Sequence, residues 1–356
     1  MVGHAGGIGR YTTELIAALG RRNDIRLIVA APTAAAELVQ RLAGGSLVAQ
    51  LIVPDRGQLS TATWERYASG RQFRRAGAQI VHGTKHLVPR VALPTVLTVH
   101  DVMTITRAHE SALPKRVLLP RQYRASIKQA DRLVAASAAT RDRLHELEPS
   151  WDAKTVVAPN GLSRYLLDAP PEPVADLVDT RYALVVGDLA PRKNVDLLLR
   201  IWDRVARETP ELRLVVLGNP GPHSVETTRH LLELQARGQA RWLRGARDGM
   251  LRWCYEHATV VLFPTLEEGF GFPLLEALTF HAPVLASTDP ALVEAATGLD
   301  GVTHLDATDA DAWFQAITRA ATVPRPPRGD PRLPPGSSSW DDNATTLVAL
   351  YRTLVP

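Results

Sequence analysis

Two glutamates eight positions apart, Glu268 and Glu276, stand in the segment Pro264-Thr265-Leu266-Glu267-Glu268-Gly269-Phe270-Gly271-Phe272-Pro273-Leu274-Leu275-Glu276-Ala277. Ionised carboxylates only accept hydrogen bonds, so a pair at this spacing can flank one ligand and take its hydroxyl groups. Proline suits the first turn of a helix and glycine permits close backbone approach, so a helix is predicted to begin near Pro273 with Glu276 in its first turn. The open N–H groups of such a terminus attract phosphate. A first-turn glutamate is also ordinary helix chemistry, since it complements the helix dipole.

A second candidate is Gly187-Asp188-Leu189-Ala190-Pro191-Arg192-Lys193-Asn194, between an apolar strand and a helix. Adjacent cations at a strand end of an open α/β sheet can neutralise a diphosphate leaving group; the alternative is a solvated basic turn. Near the start, Gly6-Gly7-Ile8-Gly9-Arg10-Tyr11 leads into a helical pattern, Thr12 to Leu19, which fits either a phosphate turn or a plain tight turn. His100-Asp101 closes an apolar run, where a histidine is either catalytic or simply hydrogen-bonded. His4, His82 and His281 receive no role, and Glu294 reads as structural. Cys254, the single cysteine, excludes a disulfide framework and a cysteine-based zinc site. Its setting is that of a packed helical residue.

Short aliphatic runs alternate with helix-length amphipathic segments, the pattern of βα units and parallel sheets. Strands are predicted at 25–31, 79–82, 95–100, 132–136 and 154–158, then in a second series at 182–186, 213–217, 240–243, 259–263 and 283–286. Helices are predicted at 195–208 and 227–237, with a final one at 341–354. The Pro-rich stretch 168–179 reads as a linker, and 322–339 as an irregular loop. These divisions give a first domain over 1–167, a second over 168–338, and a closing helix, 339–356, that returns to the first. In doubly wound folds the glycine turn follows the first strand, yet only five residues precede Gly6. The first strand is therefore expected to be missing, through assignment of translation to an internal methionine or trimming of the coding sequence.

The 356 residues, 45% hydrophobic and 22% charged, suit two soluble globular domains. Without a membrane-spanning apolar run or a signal-like start, a cytoplasmic protein is expected. The net charge of +4 conceals an asymmetry, because residues 1–164 carry 23 Lys and Arg against 12 Asp and Glu, and the remainder 18 against 25. With no nucleic-acid motif present, the basic half points to an anionic membrane surface or lipid phosphate rather than nucleic acid, the alternative being a merely solvated basic surface. Two segments concentrate that charge: Trp64, Tyr67 and Phe73 among Arg66, Arg71, Arg74 and Arg75, and later Lys115, Arg116, Arg121, Arg124, Lys128 and Arg132. Such helices either lie on anionic lipid or pack one edge inward.

Taken together, the E-x7-E element, Pro191-Arg192-Lys193-Asn194, Gly-Gly-Ile-Gly-Arg-Tyr, Val99-His100-Asp101, Pro159-Asn160-Gly161 and the Ser339-Trp340 helix resemble the retaining glycosyltransferases of family 4. The resemblance spans nearly the whole chain. It implies the GT-B fold, two facing Rossmann-like α/β domains with a cleft between, and a nucleotide-sugar donor. It implies that Lys193 binds the donor diphosphate with Arg192 beside it, that Glu268 contacts hydroxyls of the transferred sugar, and that Glu276 contacts the ribose. The backbone of Gly269, Phe270, Gly271 and Phe272 would help cradle the diphosphate. Arg244 and Gly245 would hold the base, Gly7 and Gly9 would line the cleft, and His100 would sit over the donor sugar. Where the family often has an arginine after the glycine matched by Gly187, this chain has Asp188.

The resemblance further implies front-face displacement with retention and no nucleophilic carboxylate. On this reading Arg192 and Lys193 take a metal's place, and no cofactor is expected. The mannosyltransferase-like branch suggests GDP-mannose, with UDP- or ADP-glucose type donors open. The acceptor is a glycan, a lipid-linked saccharide or a small glycoside. The competing readings are a nucleotide-sugar epimerase or sugar phosphorylase of the same fold, and an inactive sugar-nucleotide-binding homologue.

Overall fold

The computed structural model describes residues 7–54, 61, 63–108, 113–221, 223–324 and 329–355. The chain forms two compact units, one of residues up to Gly161 together with Ser338–Pro356, the other of Leu162–Ser337.

In the first unit, β1 (Leu27–Ala31) pairs in parallel with β2 (Leu47–Ile52). A separate parallel sheet runs in the order β3 (Val81–Gly83), β4 (Thr95–Val99), β5 (Arg132–Ala135), β6 (Thr155–Val157). Every residue of β4 is buried, and one face of the sheet packs on Tyr123 and Ile127 of the helix Leu113–Gln129. The helix Trp340–Arg352 belongs to this unit. It starts with a reciprocal cap between Ser339 and Asp342, and Asn343 Nδ2 donates to the carbonyls of Ala158 and Pro159 at 2.9 and 3.0 Å. A Cβ on Gly161 would stand 2.4 Å from the Trp340 nitrogen, so the Pro159-Asn160-Gly161 turn exists to let this helix dock.

The second unit is a six-stranded parallel sheet in the order β12-β11-β10-β7-β8-β9, with β7 at Arg181–Val186, β8 at Leu212–Leu217, β9 at Ala240–Leu243, β10 at Val260–Phe263, β11 at Val284–Ser287 and β12 at Val302–Leu305. Alternate residues of a strand face opposite sides. Accordingly Tyr182, Leu184 and Val186 enter one apolar core, while Ala183 and Val185 enter another on the other face. Burial on both faces is why β7 reads as an unbroken apolar run.

Several expectations need correction. The first helix runs from Gly7 to Gly20, so Gly7 and Gly9 lie within it and not in a turn before a helix starting at Thr12. His4 and Gly6 fall outside the described residues. The 168–179 stretch is not a free linker. Arg252 donates to the carbonyls of Leu167 and Ala169 at 2.7 and 2.9 Å, and Glu172 N–H to Gly249 at 3.0 Å, so it is strapped to the second unit, which already begins at Leu162. Sequence reasoning missed β2, whose apolar run is interrupted by Gln50, and β12, a short edge strand of mixed residues. Arg66 faces inward, donating to Val88 O at 2.8 Å and Gln129 Oε1 at 2.7 Å, so it is no part of a lipid-facing surface.

Candidate functional site

In the second sheet the chain leaves β7 toward β8 on one side, and β10 lies on the other. At such a switch point the loops after the two strands diverge and leave a crevice at the strands' C-terminal ends, where open α/β sheets bind ligands. The two loops are residues 187–194 and 264–271, which carry the Arg192-Lys193 pair and the first of the two spaced glutamates.

Local geometry draws these loops together. Gly187 has φ +133°, a backbone conformation that L side chains rarely adopt, and the Lys193 side chain runs past it in ordinary contact range of a Cβ, at 3.4 Å. Asn194 takes a left-handed backbone (φ 52°) and its Nδ2 donates to the carbonyls of Pro264 and Ala307 at 3.1 and 2.8 Å. Leu266 N–H and the Thr265 hydroxyl both donate to Arg192 O, at 2.7 and 3.0 Å.

The result is a mostly buried charge cluster. Lys193 Nζ donates to Glu268 Oε2 at 2.6 Å and lies 4.6 Å from the centre of the Phe263 ring. Arg192 Nη1 is 3.5 Å from the same carboxylate oxygen, yet it is buried and donates no hydrogen bond. Burial pushes the Lys193 ammonium below its ordinary value, against the pull of Glu268. For Glu268 burial acts upward, but the charges of Lys193 and Arg192 and the hydrogen bonds from Lys193 and Gly269 outweigh it and hold the carboxyl below the usual glutamate range. Arg192 and Lys193 face the Glu268 carboxylate, Asp188 also acts on Lys193, and one buried guanidinium nitrogen has no hydrogen-bond partner. An anion is the ligand such a cluster accepts.

The helix after β10 spans Phe272–Thr279, with Gly271 at its N-cap (φ 97°), Pro273 in its first turn and no side-chain cap. Glu276 is therefore the fifth helical residue and not in the first turn, and it points inward: it is 2% exposed and accepts from Tyr255 Oη at 2.9 Å. Gly269 N–H turns onto Glu268 Oε1 at 3.3 Å. Phe270 and Phe272 pack edge to face at 5.0 Å. Arg244, after β9, stacks over Trp242 at 4.7 Å, and Gly245 beside it has φ +64°. Tyr255, Asn194 and Thr265 are the residues whose parts sequence reasoning did not see. A tyrosine amid the apolar residues before β10 carries no signal until its partner carboxylate is located.

His100 belongs to the first unit. It follows β4, donates from Nε2 to Thr84 O at 2.9 Å, and meets the Tyr11 ring edge-on at 4.6 Å. Burial lowers its pKa, so the imidazole is neutral at neutral pH. Cys254 is buried and its thiol is pushed up to about 12, which leaves it inert. Among the described residues no group of three His, Cys, Asp or Glu is placed to hold a metal ion.

Residues 5–164 match the family described as Glycosyltransferase Family 4, and residues 173–328 that described as Glycosyl transferases group 1. The chain belongs to the family 4 glycosyltransferases. It is 27% identical to the D-inositol 3-phosphate glycosyltransferase of Actinosynnema mirum, over 98% of this chain and 92% of that protein. It is 20% identical to an O-antigen chain mannosyltransferase of Salmonella typhimurium, over 89% of this chain and 88% of the other. Among solved structures, the glycosyltransferase WaaG, involved in lipopolysaccharide biosynthesis, superposes with TM-score 0.66 at 16% identity, covering 89% of this chain and 88% of that one. The fold is accordingly GT-B. In this glycosyltransferase Asp188 stands where the family often has arginine. Its Oδ1 accepts from Asn219 N–H at 3.0 Å, so it serves the loop between β8 and the next helix.

Proposed function

We propose that this glycosyltransferase transfers a hexose with retention, from GDP-mannose ahead of UDP- or ADP-glucose type donors, to a glycan, lipid-linked or small glycoside acceptor. One observation carries the reading: the Arg192–Lys193–Glu268 cluster sits at the switch point of the second sheet beside an uncapped helix start. Lys193 and Arg192 hold the diphosphate, with the N-terminal end of Phe272–Thr279 adding its dipole. Glu268 orients hydroxyls of the transferred sugar and Glu276 those of the ribose. Arg244 and Gly245 flank the base, and the same reading gives His100, Gly7 and Gly9 roles on the sugar side. The C–O bond to the diphosphate breaks as the acceptor oxygen bonds the anomeric carbon on the same face, and a diphosphate oxygen takes the acceptor's proton. Catalysis rests on positioning and on stabilising the charge of the leaving group. Mannose leads because one relative is a mannosyltransferase.

A thermal-shift panel of GDP, UDP and ADP with their sugars identifies the donor, since a ligand at a hundred times its Kd stabilises by about 2.7 kcal/mol. Transfer to a synthetic acceptor, read from the product's anomeric proton, then tests retention. Release of free sugar phosphate, or an inverted product, would contradict the reading. With two cations at the leaving group no metal is required, so activity is expected to survive EDTA. Abolition by chelation with recovery in manganese would refute this.

We also assign a cytoplasmic, membrane-peripheral location. In the helix Leu113–Gln129, Val117, Leu118 and Leu119 are 51%, 43% and 36% exposed, with Arg116, Arg121 and Arg124 exposed around them. An apolar ridge ringed by cations suits an anionic lipid surface, at about 1 kcal/mol per basic residue near it. Vesicles rich in phosphatidylglycerol should co-sediment the protein, and L118D should weaken this about tenfold. Equal binding to neutral vesicles would remove the electrostatic basis.

A further inference from the structure

His82, to which its sequence setting gives no role, sits in the middle of a chain of hydrogen bonds inside the first unit. Its Nδ1 meets Tyr351 Oη at 2.6 Å and its Nε2 meets Thr98 Oγ1 at 2.8 Å. Thr98 Oγ1 also meets Tyr11 Oη at 2.8 Å. The helix Trp340–Arg352, β3, β4 and the helix Gly7–Gly20 thus supply one group each. Strand geometry aligns them. Val96 and Thr98 project to the same face of β4, and His82 is the register partner of Val96 on β3.

The far end of this chain rests on His100. The Tyr11 ring stands 4.6 Å from the His100 ring at 81°, and 5.6 Å from the Trp340 ring. His100 Nε2 is tied to Thr84 O, and Thr84 Oγ1 is held at 3.2 Å by Thr12, the neighbour of Tyr11. Both supports of the imidazole therefore return to one turn of the helix Gly7–Gly20. With Nε2 donating, Nδ1 is the acceptor atom of the neutral His100 ring.

The chain is uncharged at neutral pH. Burial pushes His82 down to about 3 and raises both tyrosines above their ordinary value. A neutral imidazole has one donor and one acceptor nitrogen, and Thr98 has one proton for two contacts. The four groups must therefore donate in a single direction, so a change at one end is felt at the other. For stability alone such a chain is a poor device, because apolar groups of the same shape would fill the space without needing partners. What it supplies is orientation: a fully connected polar chain holds its members in one arrangement.

We propose that His82, with Thr98 and Tyr351, is a positioning residue for sugar transfer: the chain fixes Tyr11, and Tyr11 fixes the His100 ring with Nδ1 as its acceptor atom. The kinetic part of this rests on the reading that places His100 on the sugar side. His82, Thr98 and Tyr351 act through Tyr11 and do not themselves meet the donor.

The test follows the imidazole resonances of the full chain by NMR, with H100A to assign His100, alongside transfer from the donor that the thermal-shift panel selects. T98V keeps the side-chain shape but breaks both central bonds. It should shift the His100 ring resonances and lower kcat about tenfold at unchanged donor KM, and T98S should restore both. Y351F removes the distant hydroxyl and should alter the His82 tautomer and shift the His100 ring in the same sense, which serves equally if T98V fails to fold. In an H100A background T98V should cost nothing further, since both changes then act through one group. Unmoved His100 resonances in T98V and Y351F, or the same fall in kcat with and without His100, would overturn the proposal in favour of a purely structural chain. If H100A transfers as fast as wild type, the sugar-side reading of His100 is what fails. The ring resonances then still uphold the chain if they shift and overturn it if they do not.

Discussion

Replacing Lys193 by alanine is expected to lower kcat/KM for sugar transfer by about 10²–10³-fold, the usual cost of removing one preorganised charge from a developing anion. Without ligand, Lys193 spends its charge on Glu268 at 2.6 Å. On the proposed reading the incoming diphosphate would compete for that ammonium, and the charge growing on the leaving group would strengthen its hold. The loss should therefore fall mainly on kcat, where interactions made in the transition state register. K193A takes the nearest cation from the buried Glu268 carboxylate, so it also destabilises the second unit. E268Q breaks the same ion pair but keeps the cation, and because Glu268 is itself assigned to the sugar, it is compared with K193A in melting temperature alone. A K193A enzyme within about threefold of wild type in kcat/KM, with a melting temperature lowered as far as that of E268Q, would show that the lysine is a structural ion-pair partner only.

Glu276→Gln is expected to weaken nucleoside diphosphate binding by about 10- to 100-fold, the range for losing a charged acceptor from a hydrogen bond. The Glu276 carboxylate is buried and steadied by Tyr255, so on the proposed reading it would present a fixed acceptor to the ribose at little ordering cost on binding. Tyr255→Phe removes only the steadying bond and should weaken binding about threefold, with kcat little changed. Calorimetric titration of the nucleotide into both variants is the measurement. Unaltered affinity alongside a lowered melting temperature would make Glu276 a core residue with no part in recognition.

The motifs were legible because each places rare residue types where α/β sheets expose strand ends. Arg192, Lys193 and Glu268 emerged from sequence on that ground, and the structure brings all three together. Helix 195–208 was legible to the residue, since Asn194 leaves the preceding turn and the apolar spacing on the helix is regular. What was not legible depended on tertiary partners. Glu276 lies one residue deeper than proline statistics suggested, because Gly271 ends the loop early and Phe272 opens the helix. Proline content marked 168–179 as a linker, whereas Arg252, far along the chain, straps it down. Arg66 read as a surface cation because nothing local announces that Val88 O and Gln129 wait for it inside.

A crystal structure of the protein grown with GDP would test the central claim most directly. The diphosphate should lie against Arg192 and the loop starting at Gly187, with Lys193 Nζ within hydrogen-bond distance of a phosphate oxygen and the ribose hydroxyls on Glu276. Nucleotide bound elsewhere, with the Lys193–Glu268 pair undisturbed, would contradict it.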